Sequence, residues 1–268
     1  MAQRLPAHCS QDGNKVLEII RTLKQSGGAM NERMATAASL LEGATEDDYY
    51  VSDSIGRLRV NIESFTPLMF VNNLIALAKA SEKPEPISIA TFETELEGIA
   101  CRRGVNSGFP SIMYHSSDWI ADNISRGNIV ELTENFNGAV ARTKSLDEMT
   151  RFRKNFAALS DSATFEAVRM TEMGFRTHRI PSLKKETIKK KELIQELRDG
   201  DIILLTPNRD GIDIYDMGVI TIENGLPYLI HLSPKTHTVT KESEDLARYM
   251  GLMTKHFQGY RILRLKDD

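Results

Sequence analysis

Residues 215–233 read YDMGVITIENGLPYLIHLS. Asn224-Gly225 stands between two strand-like runs, the signal of a two-residue β-hairpin. With Asn224 and Gly225 as the loop, Glu223 pairs with Leu226, Gly218 faces His231, and Asp216 faces Ser233. Side chains alternate with period two. Asp216, His231 and Ser233 therefore share one sheet face, and Gly218 leaves room between them. The pairing brings a carboxylate and an imidazole together, a site-like arrangement.

Strand patterns continue on both sides of the hairpin. DIILLTP (201–207) is a short apolar run, KTHTVTK (235–241) adds a strand, and GYRILRL (259–265) closes the pattern. In the last, Leu263 and Leu265 share a face with Arg261, and Tyr260 and Ile262 share the other with Arg264. Earlier in the chain the period is helical. Val16, Ile19, Ile20 and Leu23 mark one helix, ended by Gly27-Gly28. Met30, Met34, Ala37, Ala38 and Leu41 mark a second, stopped by Gly43. Residues 44–61 read as a loop with a short strand near its end. Residues 67–81 form an apolar helix fit for burial, and Ile89, Phe92, Leu96 and Ile99 place another before Cys101. SIMYHSSDWIADNISRG (111–127) is helical in part. Helices are expected over 146–159 and 163–173. LKKETIKKKELIQELRDG (183–200) reads as a charged surface helix, its lysines interleaved with Glu186, Glu192 and Glu196. Helices first and antiparallel strands later predict an α+β fold, helices packed on an antiparallel sheet.

The 268 residues are 41% hydrophobic and 26% charged, ordinary for a globular chain, with a formal net charge of -3. That balance gives no global pull toward nucleic acid or anionic membrane. Two cysteines, Cys9 and Cys101, cannot build a disulfide framework or a cysteine-rich zinc site. No apolar run approaches the ~20 residues of a spanning helix. The opening MAQRLPAHCSQDGNK has no apolar core of a secretory signal; by that reading the protein stays in the cell or this sequence lacks its native leader.

The stretch ESFTPLMFVNN (63–73) heads the apolar helix, with Thr66 as N-cap and Pro67 at the first helical position. FTPLMFVNNLIALA, SGFPSIMYHSSDWI, RIPSLKKETI, LRDGDIILLT, GIDIYDMGVI and YLIHLS follow in this order. Together they resemble the bacterial N-acetylmuramoyl-L-alanine amidase-like family, within the NlpC/P60 (papain-like) superfamily. The resemblance spans roughly residues 30–268 and leaves 1–29 as an N-terminal helical extension. It implies a papain-like α+β domain, a cysteine nucleophile with a histidine base, and muropeptides as substrates. Active members cleave the amide between N-acetylmuramic acid and L-alanine, and the family implies the cell envelope.

The scaffold residues match this pattern: Phe65, Phe70, Val71, Ser117, Asp118, Trp119, Ile212, Asp213, Gly218 and Val219. The chemistry does not. The nucleophilic cysteine falls on Pro67, its preceding aspartate on Thr66 and the following threonine on Met69. Asn72 stands in place of a glutamate. The base histidine falls on Asp216, and only His231, which would orient that base, is retained. Met113-Tyr114-His115 replaces a Leu-His-Tyr-like segment. The catalytic positions are thus Pro67, Asp216 and His231. The resemblance implies ligand contacts at Thr66, Tyr114, His115, Asp118, Trp119 and Ser233.

A thiolate is stabilised at a helix N-terminus, and a histidine shuttles its proton. Proline supplies neither the thiol nor the backbone N–H that commonly helps hold an oxyanion. Aspartate titrates too low to shuttle a proton near neutrality unless strongly perturbed. Ser64, Thr66 and Cys101 are the replacement nucleophiles within reach, with Thr66 better suited to capping and Cys101 to packing. Asp216 and His231 with His237 or His115 offer metal-ligand chemistry, but no H-x-x-x-H spacing exists, and a metal-free Asp216–His231 pair is the reading adopted. Trp119 is either core or a ligand platform. Tyr49-Tyr50 is either a binding lip or a packed loop, and His178 and His256 read as surface residues. The expectation is a catalytically inactive relative of muropeptide amidases that binds peptidoglycan fragments or a partner through the old cleft, without cofactor. The alternatives are a hydrolase rebuilt on Asp216 and His231, with or without a metal, and a purely structural or interaction domain.

Overall fold

The structure is a computed structural model that describes residues 8–9, 13–47, 55–207, 212, 214–253 and 256–266. After the short strand β1 (His8–Cys9) come helices α1 (Gly13–Ser26) and α2 (Met30–Leu40). Strands β2 (Thr45–Glu46), β3 (Arg59–Val60) and β4 (Ser64–Phe65) lead into α3 (Pro67–Glu82) and α4 (Ile89–Ala100). Next are α5 (Ser116–Ser125), β5 (Ile129–Glu131), β6 (Val140–Thr143), α6 (Glu148–Arg151) and α7 (Ser162–Gly174). The last part holds β7 (Arg179–Lys184), α8 (Lys191–Glu196), β8 (Ile202–Pro207), β9 (Asp216–Glu223), β10 (Leu226–Ser233), β11 (Thr238–Asp245), α9 (Leu246–Leu252) and β12 (Phe257–Leu265).

The hairpin forms in the expected register, with Glu223 opposite Leu226 and Gly218 opposite His231. Asn224 and Gly225 both take positive φ, 52° and 77°, the backbone that a two-residue turn between twisted strands requires. Around the hairpin the large sheet runs β4-β2-β11-β10-β9-β8-β12-β7-β6, and β5 pairs with the far end of β12. The pairings are antiparallel except at the β2–β4 edge, which is parallel, so the sheet is mixed rather than purely antiparallel.

Period two divides the side chains between two cores. Ile202, Leu204, Met217, Val219, Ile230, Leu263 and Leu265 pack on the helical side with α1–α5. Ile203, Leu205, Ile220, Leu229, Tyr260 and Ile262 pack on the other with α8 and α9. The face assignment along β12 is the one its alternation predicts. Val16, Ile19, Ile20 and Leu23 of α1 join the same core as α3. The sheet is thus covered on both sides, which explains why β8 reads as a continuous apolar run.

Two expected helices differ. Over 183–200 the chain is the end of β7, a 3-10 turn (Lys185–Lys189) and the short α8. Ile188 and Leu193 are both buried. Five residues apart, they would point about 140° apart on one helix; the 3-10 turn and the break before α8 bring both into the same core on one side of the sheet. Over 146–159 only α6 is α-helical, followed by 3-10 turns at Arg153–Asn155 and Ala157–Ser160. Strands β5 and β6 were not expected. The Tyr49-Tyr50 loop and Asp213 lie outside the described residues.

Gly218 sits where a Cβ would lie 2.4 Å from the Ile230 carbonyl oxygen and 2.6 Å from the His231 Cβ. Gly218→Ala is expected to destabilise the fold by about 1–3 kcal/mol through overpacking, measured as a lower urea midpoint at unchanged slope.

Candidate functional site

Helix α3 starts as the sequence dictates. Thr66 is extended (φ -85°, ψ 163°) and its Oγ1 accepts the Met69 N–H at 3.3 Å. Pro67 follows at the first helical position, where a missing N–H removes no helical hydrogen bond. This helix end opens into a cleft of about 630 Å³. Its walls are Thr66, Pro67 and Leu68, the Tyr114–Ser116 entry to α5, residues of the 148–156 segment, and Ile214, Tyr215 and Asp216 leading into β9. Pro67 and Asp216, far apart in sequence, thus face one cavity.

Asp216 turns its carboxylate away from α3. Met217 and Val219 point into the α3 core, so by alternation Asp216 and Gly218 face the opposite side. There Asp216 Oδ2 lies 2.5 Å from His231 Nδ1. His231 Nε2 lies 3.0 Å from Glu242 Oε1, and Ser233 donates its hydroxyl to the same oxygen at 2.8 Å. The Tyr249 ring meets the imidazole edge-on at 5.3 Å. His231 is fully buried. Burial alone disfavours its charge, but Asp216 and Glu242 outweigh it and push its pKa up to about 9. The hydrogen bond from His231 holds the Glu242 carboxyl below its ordinary value, against its desolvation. Near neutrality His231 is an imidazolium whose two N–H groups are both committed to carboxylates. It has no lone pair for a metal and no path to the cleft except through Asp216.

His115 reaches the cleft wall from the start of α5. Its Nε2 lies 2.9 Å from Glu172 Oε1, and Glu172 also accepts the Met149 N–H at 2.9 Å and the Thr150 hydroxyl. Burial works against the Glu172 charge, yet these hydrogen bonds hold its carboxyl below the ordinary value. One buried carboxylate on α7 thereby fixes both α6 and His115 at the cleft.

The sequence matches a family model, N-acetylmuramoyl-L-alanine amidase-like (AmiA-like), over residues 39–256. The chain belongs to this amidase-like family. Its fold is similar to an N-acetylmuramoyl-L-alanine amidase from Bacteroides uniformis, with a TM-score of 0.78 at 20% identity over 89% of this chain and 99% of that one. It is also similar to a Legionella pneumophila protein, with a TM-score of 0.72 at 14% identity over 96% and 95% of the two chains. No curated protein matches the sequence.

Within this amidase-like chain the anticipated residues divide into three groups. Thr66, Pro67, Tyr114, His115 and Asp216 line the cleft together. His231 and Ser233 are buried behind Asp216 on the far sheet face. Asp118 and Trp119 stand apart from the cleft: Asp118 pairs with Arg102 through both carboxylate oxygens, and Trp119 is wholly buried in the helical core. Cys101 is a packed thiol whose burial pushes its pKa up to about 12, too high for a thiolate near neutrality. Ser64 accepts from Asn61 and donates to Asp47. Glu242, Glu172 and the cleft wall at Phe152 and Phe156 did not emerge from the sequence. Glu242 had a usable signal. Thr240 pairs with His231, so strand alternation brings residue 242 to the same face.

The raised pKa of His231 sets a pH dependence of stability. A raised folded pKa contributes stability that is fully present below the ordinary value of 6.5 and is lost as pH rises through about 9. A loss on the order of 3 kcal/mol is expected between these limits, read from denaturant midpoints across the range. His231→Gln is expected to flatten that slope.

Proposed function

We propose that this protein is a non-hydrolytic member of its family that binds peptidoglycan fragments in the Pro67–Asp216 cleft. In this reading Pro67 and Asp216 occupy the positions of the nucleophile and the base. The observation that carries it is Pro67 at the helix head: it offers neither a nucleophilic atom nor an N–H for an oxyanion. The neighbouring groups do not replace them. Thr66 Oγ1 is engaged as the helix cap, and His231 is buried as an imidazolium between two carboxylates. A general base must come within hydrogen-bond reach of the proton it removes, which His231 cannot do from the far side of the sheet. In a hydrolase rebuilt on Asp216 and His231, the imidazole would have no free nitrogen to accept a proton, since both face carboxylates.

The fold and cleft accommodate this loss. Proline suits the first turn of α3, and Asp216 is held through Oδ2 by a buried cation. Binding can persist where the chemistry has gone, because the cleft walls come from five separate segments, Glu46 being the fifth.

Incubation of the purified protein with disaccharide-peptide muropeptides should release no peptide by mass spectrometry, while calorimetry detects their binding. Turnover that disappears in His231→Ala would overturn the non-hydrolytic reading. Absence of binding would overturn the ligand. Pro67→Ala should leave stability within about 1 kcal/mol of the parent and gain no turnover.

A further inference from the structure

A second cavity, of about 730 Å³, shares no residue with the cleft. It is bounded by the 132–137 loop, by Lys190 and α8, and by Arg264 of β12. Leu132 and Phe136 pack against the core on the sheet side opposite α3, and Leu193 belongs to that core. The floor of the cavity is therefore apolar.

Its walls are anchored. The Leu132 N–H donates to the Ile262 carbonyl at 2.9 Å, and the Ile262 N–H donates to Thr133 Oγ1 at 2.9 Å, which fixes the loop on β12. Arg264 Nη2 donates to the Glu196 carbonyl at 2.9 Å and holds the end of α8. Lys190 Nζ donates to the Asn137 carbonyl at 3.2 Å and ties the loop to the head of α8.

The polar groups of this lining are unevenly satisfied. Both cations are committed, Arg264 to the two carboxylate oxygens of buried Asp201 and Lys190 to a carbonyl. The carboxylates of Glu192 and Glu196 and the side-chain amides of Asn135 and Asn137 have no partner among the described residues. Glu192 and Glu196 stand four residues apart on α8, hence on one face and one turn apart. The cavity thus holds acceptors in excess, above an apolar floor.

We propose that this cavity binds a primary aliphatic ammonium group, with its alkyl stem on the floor of Leu132, Phe136 and Leu193. Such a group has three donors and no acceptor. It can meet both carboxylates of α8 and an asparagine oxygen of the loop at once. An alcohol brings no charge, a quaternary ammonium brings no donor, and an anion meets the like charge of α8. The apolar floor favours a stem of several carbons, because burying each methylene adds affinity. A free alkylamine and a lysyl side chain of another polypeptide both carry this chemistry. The site is separate from the cleft, so its test does not depend on the function proposed there.

The test follows backbone amide NMR shifts of the intact protein during titration with n-pentylamine, 1-pentanol, pentyltrimethylammonium and Nα-acetyl-lysine amide. Pentylamine should shift amides within 132–137 and 190–196, and the alcohol and the quaternary salt should bind about ten-fold more weakly. Glu192→Gln combined with Glu196→Gln should weaken pentylamine about ten-fold, the worth of two solvent-facing ion pairs. Lys190→Gln should tighten it about two-fold by removing a like charge. Residues 190, 192 and 196 are exposed, so these variants should unfold at the parent's temperature. Acetyl-lysine amide shifting the same amides would uphold the site with a lysyl side chain as its source, and pentylamine alone doing so would uphold it for a free amine. Absence of shifts in these two segments, equal affinity for pentanol, or unchanged affinity in the double variant would overturn the proposal.

Discussion

Helix α3 is buried along nearly its whole length, and the rest of the architecture follows from enclosing it. An apolar helix has no solvent face, so every side must meet another element. α1, α2 and α4 cover it on one side, and β9 and β10 on the other. At its N-terminal end Thr66 and Pro67 are half-buried, and they satisfy or dispense with N–H groups that would otherwise need partners. The cleft opens at that end.

The charged cluster behind the cleft follows a different rule. Asp216, His231 and Glu242 are taken largely out of water, where a lone charge would be costly. The cation between two carboxylates makes the burial tolerable, and Gly218 leaves the space for the imidazole. The same arrangement that satisfies the charges withdraws the histidine from any ligand. Electrostatic satisfaction and proton shuttling place opposite demands on one ring.

The parts legible in the sequence are those governed by strong local rules. Asn224-Gly225 fixed the register to the residue, because a two-residue turn permits only one pairing. Thr66-Pro67 marked the start of α3, and the apolar period marked α1 to α4. The Asp216–His231 pair followed from the register, but its side of the sheet did not. That depends on which face α3 chooses, a tertiary matter. Strands β5 and β6 are short and paired only through distant partners, so no local pattern announces them. The 183–200 segment has helix-forming composition, yet it folds as a strand end, a 3-10 turn and the short α8, with Ile188 and Leu193 in one core. Phe152 stayed hidden because the cleft it lines is assembled from segments distant in sequence, which no local pattern around residues 146–159 announces. Family resemblance and fold agreed where residues 39–256 match the amidase-like pattern.

Among the described residues, strand β12 follows every other strand in the sequence, yet it lies inside the sheet. It pairs with β8 on one side and with β7 and β5 on the other. Asn31 near the start of α2 donates to the Leu265 carbonyl at its end. While the ribosome is still making residues 257–265, the sheet is therefore split. Every position of β8 is buried in the finished fold, but in the nascent chain that apolar strand offers an unpaired edge. Such edges recruit other chains. Closure of this seam therefore waits for residues 257–265 to emerge.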